Sequence, residues 1–175
     1  ALVHGVLLRG MPLISDAMDY HLLALDVVSG KQWSSAFYMP PGIPLLLASL
    51  YGLLGPHLWV ARGIIIILQL LIIPLAGLLT FELLGQNKQA GRWAAWIAAL
   101  YPPAVMLAGQ PYSQHLTTVC LLATAYFWLK GLREERLGPF FPAGAALGIG
   151  ILARPSMLSL CPVLGLVALY TAWSR

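Results

Sequence analysis

Three of the six carboxylates of this chain lie close together near its beginning, at Asp16, Asp19 and Asp26. They stand out because only 9% of the residues are charged, whereas 59% are hydrophobic. Carboxylates take up and release protons, and the nearby Tyr20 adds a phenol that can form hydrogen bonds. If the chain performs chemistry, we expect that chemistry to begin in this polar stretch.

A short helix is predicted to position these groups. Ser15 is a good amino-terminal cap and Asp16 suits the dipole of a first turn, so the helix is predicted over Asp16–Val28. Positions three and four apart share a helix face, which predicts that Asp16, Asp19 and Tyr20 point the same way. An apolar stripe on the same helix lies at Met18, Leu22 and Leu25. Such a stripe favours a helix that rests on a bilayer surface or a bundle rather than one that spans.

The composition is that of an integral membrane protein, with a mean hydropathy of +0.81. The net charge of +4 reflects an excess of Lys and Arg. In a membrane protein these residues are enriched in cytoplasmic loops, so we expect them to mark the cytoplasmic side. No basic tract is interleaved with aromatic residues, so nucleic acid is excluded as a partner.

Cys120 and Cys161 both lie in apolar runs, which predicts no disulfide. His21, His57 and His115 do not have the spacing of metal ligands. We expect each of them to be a polar residue at the interface between membrane and water.

The apolar runs predict an all-α fold, a polytopic transmembrane helix bundle within a single transmembrane domain over residues 1–175. Residues 1–8 are too short to cross and are expected to be the stub of a first span, in a chain that is the amino-terminal part of a longer protein. Residues 9–57 form an external loop with two juxtamembrane helices, the second at 42–55. About five transmembrane helices follow in 58–175: at 58–84, 93–107, 115–129 and two within 139–173, divided at Arg154. Gly144 and Gly148 have the spacing that lets membrane helices approach closely.

Counting spans predicts which groups share a side of the membrane. Two spans separate the basic loops at 85–92 and 130–136, so both loops are expected to be cytoplasmic, with Glu82 solvated at the same boundary. Arg62, the turn at 112–114 and Arg154 then lie outside. Asp16 joins them provided that 42–55 does not cross.

Several short motifs follow one another in a fixed order: Asp16-x-x-x-Tyr20, Pro40-Pro41-Gly42 leading to Leu53-Leu54-Gly55, Arg62 at a helix start, Tyr101-Pro102 at a helix end, and the run LGIGILARP at 147–155. In this order and spacing the chain resembles the amino-terminal part of polytopic glycosyltransferases of the type C fold, in the protein O-mannosyltransferase and lipid A aminoarabinose transferase superfamily. The resemblance extends from about residue 15 to residue 155.

The resemblance implies transfer of a sugar from a polyprenyl-phosphate donor to a protein, lipid or glycan acceptor, with inversion at the anomeric carbon. It places the protein in the plasma (inner) membrane with its active site on the extracytoplasmic side. Asp16 would be the catalytic base. The expected substrate contacts are Asp19, Tyr20, Arg62, Gln114 and Arg154. Arg154 is the first candidate for binding the departing phosphate, and Arg62 is the second. The resemblance implies no certain cofactor, and a requirement for a divalent metal ion is left as an alternative.

Two positions depart from the resemblance. Ala17 stands where many relatives have a second acid, and Gln114 stands where they commonly carry Asp or Glu. A Gln side chain can hydrogen-bond a sugar hydroxyl but cannot act as a base. Two alternatives therefore stay open, a transporter or lipid flippase and a non-catalytic membrane scaffold, although no convincing internal repeat of the kind that transporters show is present.

Overall fold

The computed structural model describes residue 13 and residues 15–31, 39–107 and 109–173 of the chain. This part is all-α, as predicted, and contains no strand. Its eight α-helices are α1 (Asp16–Val28), α2 (Gly42–Leu54), α3 (Leu58–Leu83), α4 (Lys88–Leu100), α5 (Pro102–Leu107), α6 (Ser113–Glu134), α7 (Phe140–Ala153) and α8 (Leu160–Trp173), with a 3₁₀-helix at Pro155–Ser159 between the last two. The predicted stub at 1–8 lies outside the described residues.

Helix α3 is the predicted span, and its 26 residues extend for about 39 Å. It is the one helix in the described ranges that is long and apolar enough to cross a membrane by itself. The count of about five spans therefore stays a prediction. Large apolar side chains nevertheless cover the outside of the bundle, as expected for contact with lipid, at Trp93, Trp96, Leu166, Leu169 and Tyr170.

The predicted span at 93–107 differs from the structure in its boundaries and in its continuity. Helix α4 begins at Lys88 rather than 93, because the Asn87 side chain caps it and accepts hydrogen bonds from the backbone N–H groups of Gln89 and Ala90 at 3.0 and 3.1 Å. It ends at Leu100, since Tyr101 precedes a proline and is extended. The predicted span at 93–107 is therefore two helices, α4 and α5. The predicted division of 139–173 at Arg154 is confirmed.

The helices pack in a defined order, with α3 against α4 and α6, and α6 against α7. The carboxyl ends of α3 and α6 are joined by an ion pair between Glu82 and Arg133. These two helices therefore run in the same direction. Glu82 was expected to be solvated, but its side chain is only 5% exposed, because Arg133 of the neighbouring helix covers it.

The apolar core lies at the other end of the bundle and is centred on α2. This short helix contributes Ile43, Leu47 and Tyr51, all of which are buried. Around it pack residues from α1, the first half of α3, the first half of α6 and the end of α7: Tyr20, Ala24, Ile65, Leu116, Cys120 and Ala153. The 13 residues of α2 extend for only about 20 Å, and its buried side chains make it a platform on which the other helices pack.

Glycines set three close contacts, two of them with the backbone of a neighbouring helix. A β-carbon on Gly42 would lie 2.6 Å from the backbone of Ala153, and one on Gly91 would lie 2.8 Å from the carbonyl oxygen of Gly77. A β-carbon on Gly150 would meet the Met157 sulfur at 2.5 Å. At Gly144 and Gly148, where the sequence predicts a close approach, a β-carbon would meet nothing within 4 Å in the described part of the chain.

Candidate functional site

Three of the predicted site residues lie at one end of the bundle, which we call the Arg154 end. It comprises the first turns of α3 and α6 and the last turn of α7, opposite the Glu82–Arg133 pair. Arg62 lies in the first turns of α3, Gln114 is the second residue of α6, and Arg154 follows α7 directly. The shared core of Ile65, Leu116 and Ala153 holds these three helix ends together.

The backbone of Arg154 is fixed on both sides while its side chain is exposed. Its N–H donates to the Gly150 carbonyl at 2.8 Å, and its own carbonyl accepts from the Met157 N–H at 3.0 Å. The preceding Ala153 is buried against Gly42. The motifs Pro40-Pro41-Gly42 and Ala153-Arg154-Pro155 therefore meet in space, and this contact fixes the backbone from which the Arg154 side chain extends.

Arg62 has a different environment, because it is only 4% exposed. Its guanidinium carbon lies 6.0 Å from the centre of the Trp59 ring, one turn earlier on α3. A cation over an indole ring is attracted by the ring quadrupole. Arg62 is thus a positive charge held inside the Arg154 end, whereas Arg154 is a positive charge at its surface.

The carboxylates of Asp16 and Asp19 are exposed on α1. Asp16 Oδ1 accepts a hydrogen bond from the Ser15 hydroxyl at 3.0 Å, so Ser15 does not cap the helix with its side chain as predicted. Neither carboxylate forms an ion pair with any basic residue in the described ranges, Arg154 and Arg62 included. Both are free to contact a ligand, but the structure does not bring them against the two arginines.

The prediction that Tyr20 shares the face of Asp16 and Asp19 is wrong. Tyr20 is 3% exposed and belongs to the core, together with Ala17 and Ala24. Small residues at these two positions let α1 lie close to α2, and Tyr20 falls on the same face because it lies three residues after Ala17. Packing, not the polar pattern, thus decides which way the phenol points.

His21 adds a polar link between α1 and α2 that the sequence did not predict. Its Nδ1 lies 2.7 Å from the Tyr51 hydroxyl, and the two rings meet edge to face. Burial lowers the pKa of His21 and raises the pKa of Tyr51 to about 12. Both groups are therefore neutral near pH 7, and the tautomer of His21 decides which of them donates. The link fixes the helix that carries Asp16 and Asp19.

Gln114 is exposed and lines a cavity of about 570 Å³ between α3, α4, α5 and α6. His115, its neighbour, also lines the cavity and is only 4% exposed, so it is not the interfacial residue that was expected. The signal in the sequence was a pair of polar residues, Gln114 and His115, at the start of an apolar helix. That signal alone does not show that one of them points inward.

The described residues do not form a site for a divalent metal ion. Within the described part of the chain, no three His, Cys, Asp or Glu side chains converge to hold one. Asp16 and Asp19 are carboxylates of one helix, and no third ligand lies beside them among the residues that the structure describes. We therefore derive no step of the chemistry through a metal.

Comparison with known protein families gives a match over most of the chain. A model of the family described as dolichyl-phosphate-mannose-protein mannosyltransferase matches residues 38–175, which include Arg62, Gln114 and Arg154. The matched region begins after Asp16 and Asp19. No curated protein and no solved structure matches the chain.

Proposed function

Because the chain belongs to the dolichyl-phosphate-mannose-protein mannosyltransferase family, we propose that it transfers a sugar from a polyprenyl-phosphate donor to a hydroxyl group at the extracytoplasmic face of the membrane. The acceptor hydroxyl belongs to a protein, lipid or glycan. The observation that carries the proposal is the family match over 38–175, which includes both arginines of the Arg154 end.

The proposed reaction is one displacement at the anomeric carbon. The acceptor oxygen forms a bond to that carbon while the bond from the carbon to the donor phosphate oxygen breaks, and the bond electrons leave with the polyprenyl phosphate. Attack opposite the leaving group inverts the configuration. The acceptor proton passes to the Asp16 carboxylate, a step that contributes about 10²- to 10⁴-fold to such reactions.

The departing phosphate requires positive charge but no acid, since a phosphate is already a good leaving group. Arg154 is the first candidate, because it is exposed and its backbone is held by hydrogen bonds on both sides. Its planar guanidinium matches two phosphate oxygens at once. Arg62 contributes a second positive charge from the interior, where a lower dielectric strengthens its effect.

Asp19 and Gln114 are the remaining proposed contacts, since both are exposed and carry hydrogen-bonding oxygens. Tyr20 is assigned a supporting role instead. Its ring packs in the core below α1 and so holds Asp16 and Asp19 at the surface. The side of the membrane and the proximity of Asp16 to the arginines are part of the proposal and rest on the count of spans.

The test replaces Asp16 by Asn in the full-length protein and measures sugar transfer from a radiolabelled polyprenyl-phosphate donor. We expect a loss of about 10²- to 10⁴-fold in kcat with unchanged abundance, because Asn keeps the shape but cannot accept the proton. Asp26→Asn is the matched control on the same helix, where the carboxylate pairs with Lys31 at 3.4 Å. Full activity in Asp16→Asn, or an equal loss in Asp26→Asn, would remove the catalytic assignment.

A further inference from the structure

Two basic residues in the first turns of α4, Lys88 and Arg92, carry charges that no acid neutralises among the residues that the structure describes. Both side chains are exposed, and they are neighbours on the helix surface because they lie four residues apart. Lys130 and Arg133, at the same end of the bundle, are each paired with a glutamate. Lys88 and Arg92 therefore form an open pair of cations, which we call the basic pair.

An anion that approaches the basic pair meets side chains rather than the backbone of the helix start. The Asn87 side chain already accepts hydrogen bonds from the N–H groups of Gln89 and Ala90. A guanidinium can bind two oxygens of one phosphate, and an ammonium adds a compact positive charge. The basic pair thus suits a phosphate group.

An apolar surface continues directly from the basic pair along α4. Trp96 and Leu100 follow Arg92 at intervals of four residues, so they extend the same row of side chains. They belong to a shallow groove of about 330 Å³, which is lined by Trp93, Trp96, Ile97, Leu100, Tyr101 and Pro102. The four of these side chains that belong to α4 are between 60% and 70% exposed. A row that begins with two cations therefore ends in an exposed apolar groove.

The packing of α4 on α3 keeps this groove on the outside of the bundle. A β-carbon on the buried Gly91 would lie 2.8 Å from the carbonyl oxygen of Gly77, and one on Gly77 would lie 3.3 Å from the β-carbon of Ala95. These small residues seat α4 against α3, the helix that is long and apolar enough to span. The rings of Trp93 and Trp96 consequently point away from the bundle.

The order of groups along α4 matches the order of groups across one leaflet of a bilayer. From Arg92 to Leu100 the helix rises by about 12 Å, which is less than the roughly 15 Å of hydrocarbon in half a bilayer. Because α4 packs along the spanning helix, this rise is directed across the leaflet. With the basic pair at the depth of the head groups, the groove lies at the depth of the acyl chains, and tryptophan is typical of the boundary between them.

From these observations we propose that α4 binds an anionic phospholipid, with its phosphate at Lys88 and Arg92 and an acyl chain in the groove beside Trp93 and Trp96. A soluble phosphate compound leaves the groove unused, and a lipid without net charge leaves the basic pair uncompensated. An anionic phospholipid satisfies both parts with one molecule. The sequence predicts that this end of the bundle is cytoplasmic, where anionic lipids make the membrane surface negative.

The lipid site lies at the opposite end of the bundle from the residues that are proposed to act in sugar transfer. Arg62, Gln114 and Arg154 belong to the Arg154 end, whereas Lys88 and Arg92 lie beyond the end of α3 that carries Glu82. A head group bound there holds the start of α4 at the boundary of the membrane. The proposal therefore goes beyond the transferase and does not depend on it.

The test uses the full-length protein in phosphatidylcholine nanodiscs that contain a trace of one photoreactive lipid, either phosphatidylglycerol or phosphatidylcholine with the same photoreactive acyl chain. We expect phosphatidylglycerol to label residues 93–101 about 25-fold more strongly, since each basic residue near a membrane surface contributes about fivefold. Lys88→Gln and Arg92→Gln should each reduce this ratio to about fivefold, and the double change should reduce it to about onefold. Equal labelling by the two lipids in the unchanged protein would overturn the proposal.

Arg136→Gln is the matched control for charge, because it removes another exposed cation from the same end of the bundle. The labelling ratio should stay unchanged in this variant. A reduction as large as that of Arg92→Gln would mean that the overall surface charge, and not the basic pair, attracts the lipid, and would refute the site.

The groove is tested with Trp96→Ala, and Trp173→Ala is the control because its ring on α8 is 93% exposed. We expect Trp96→Ala to reduce phosphatidylglycerol labelling of residues 93–101 about fivefold through lost apolar contact, and Trp173→Ala to leave it unchanged. Inorganic phosphate should displace the lipid no better than chloride does at equal ionic strength. Displacement by phosphate, or full labelling in Trp96→Ala, would indicate a site for an anion alone and contradict the proposal. Sugar transfer is not measured in any of these experiments, so their failure leaves the proposed transferase intact.

Discussion

Asp16 and Asp19 owe their outward position to the side chains on the other face of α1. Tyr20 is buried below them, and His21 is held by Tyr51 through a hydrogen bond of 2.7 Å. The sequence predicted the helix and its carboxylates but placed Tyr20 on the wrong side. A spacing of three or four residues shows which groups share a face; it does not show which face a neighbouring helix will cover.

Acid should weaken the attachment of α1 to α2. Burial lowers the folded-state pKa of His21 below its usual 6.5, so the unfolded state binds the proton more tightly. The stabilisation is therefore complete above pH 6.5 and is lost as the pH falls toward the folded-state pKa. Tyr51, with a pKa of about 12, stays protonated throughout. We expect hydrogen exchange of the α1 amides to accelerate between pH 7 and pH 5, after correction for intrinsic rates.

His21→Gln separates this effect from general acid sensitivity. Gln keeps a hydrogen-bonding group but does not titrate, so the exchange of α1 should vary much less with pH in the variant. The amides of α7, which has no histidine, provide the internal reference. An unchanged pH dependence in His21→Gln would show that His21 is not the titrating group.

At the scale of elements, the contact between α2 and α7 joins two of the motifs in which the sequence resembled its family. Gly42 lies against the backbone of Ala153, and Arg154 follows immediately. The sequence predicted both helices and their boundary at Arg154, but it predicted close approach at Gly144 and Gly148. Small residues permit an approach, and only the arrangement of whole helices decides where a partner lies.

Gly42→Ala should disturb this contact, whereas Gly52→Ala on the same helix should not. The new β-carbon at 42 would lie 2.6 Å from the Ala153 backbone, which cannot move without shifting α7. Overpacking of this kind costs about 1–3 kcal/mol. Nothing lies within 4 Å at 52, where alanine is expected to stabilise the helix by up to about 1 kcal/mol.

The midpoint of thermal unfolding in detergent measures both effects. We expect it to fall for Gly42→Ala and to stay equal or rise for Gly52→Ala. Equal midpoints for the two variants would contradict the close packing of α2 on α7.

At the scale of the whole molecule, two contacts at opposite ends keep the bundle in register. The core around α2 joins the starts of α3 and α6, and the Glu82–Arg133 pair joins their ends. Parity of the apolar runs predicted that Arg62, the turn at 112–114 and Arg154 share one side of the membrane, and in the structure all three lie at the Arg154 end. The ion pair was not predictable from parity, because it depends on how the two helices are rotated about their axes.

Glu82→Gln should destabilise the protein more than Glu134→Gln. The Glu82 side chain is 5% exposed, so its loss leaves the Arg133 charge without its partner, at a cost of about 1–3 kcal/mol because Arg133 is itself 39% exposed. Glu134 pairs with Lys130 along one helix at 3.9 Å, a contact that contributes about 0.3–0.5 kcal/mol. Thermal unfolding in detergent provides the comparison, and an equal effect of the two changes would exclude a role of the Glu82 pair in stability.

The central claim is that Asp16 and Arg154 face the same, extracytoplasmic side of the membrane. After Cys120 and Cys161 are replaced by Ala, the single changes Asp16→Cys, Arg154→Cys and Arg136→Cys can be tested with a membrane-impermeant maleimide on intact cells. Labelling of Asp16→Cys and Arg154→Cys from outside, with Arg136→Cys labelled only after permeabilisation, is the predicted result. Labelling of Asp16→Cys and Arg154→Cys from opposite sides would contradict the proposed transferase.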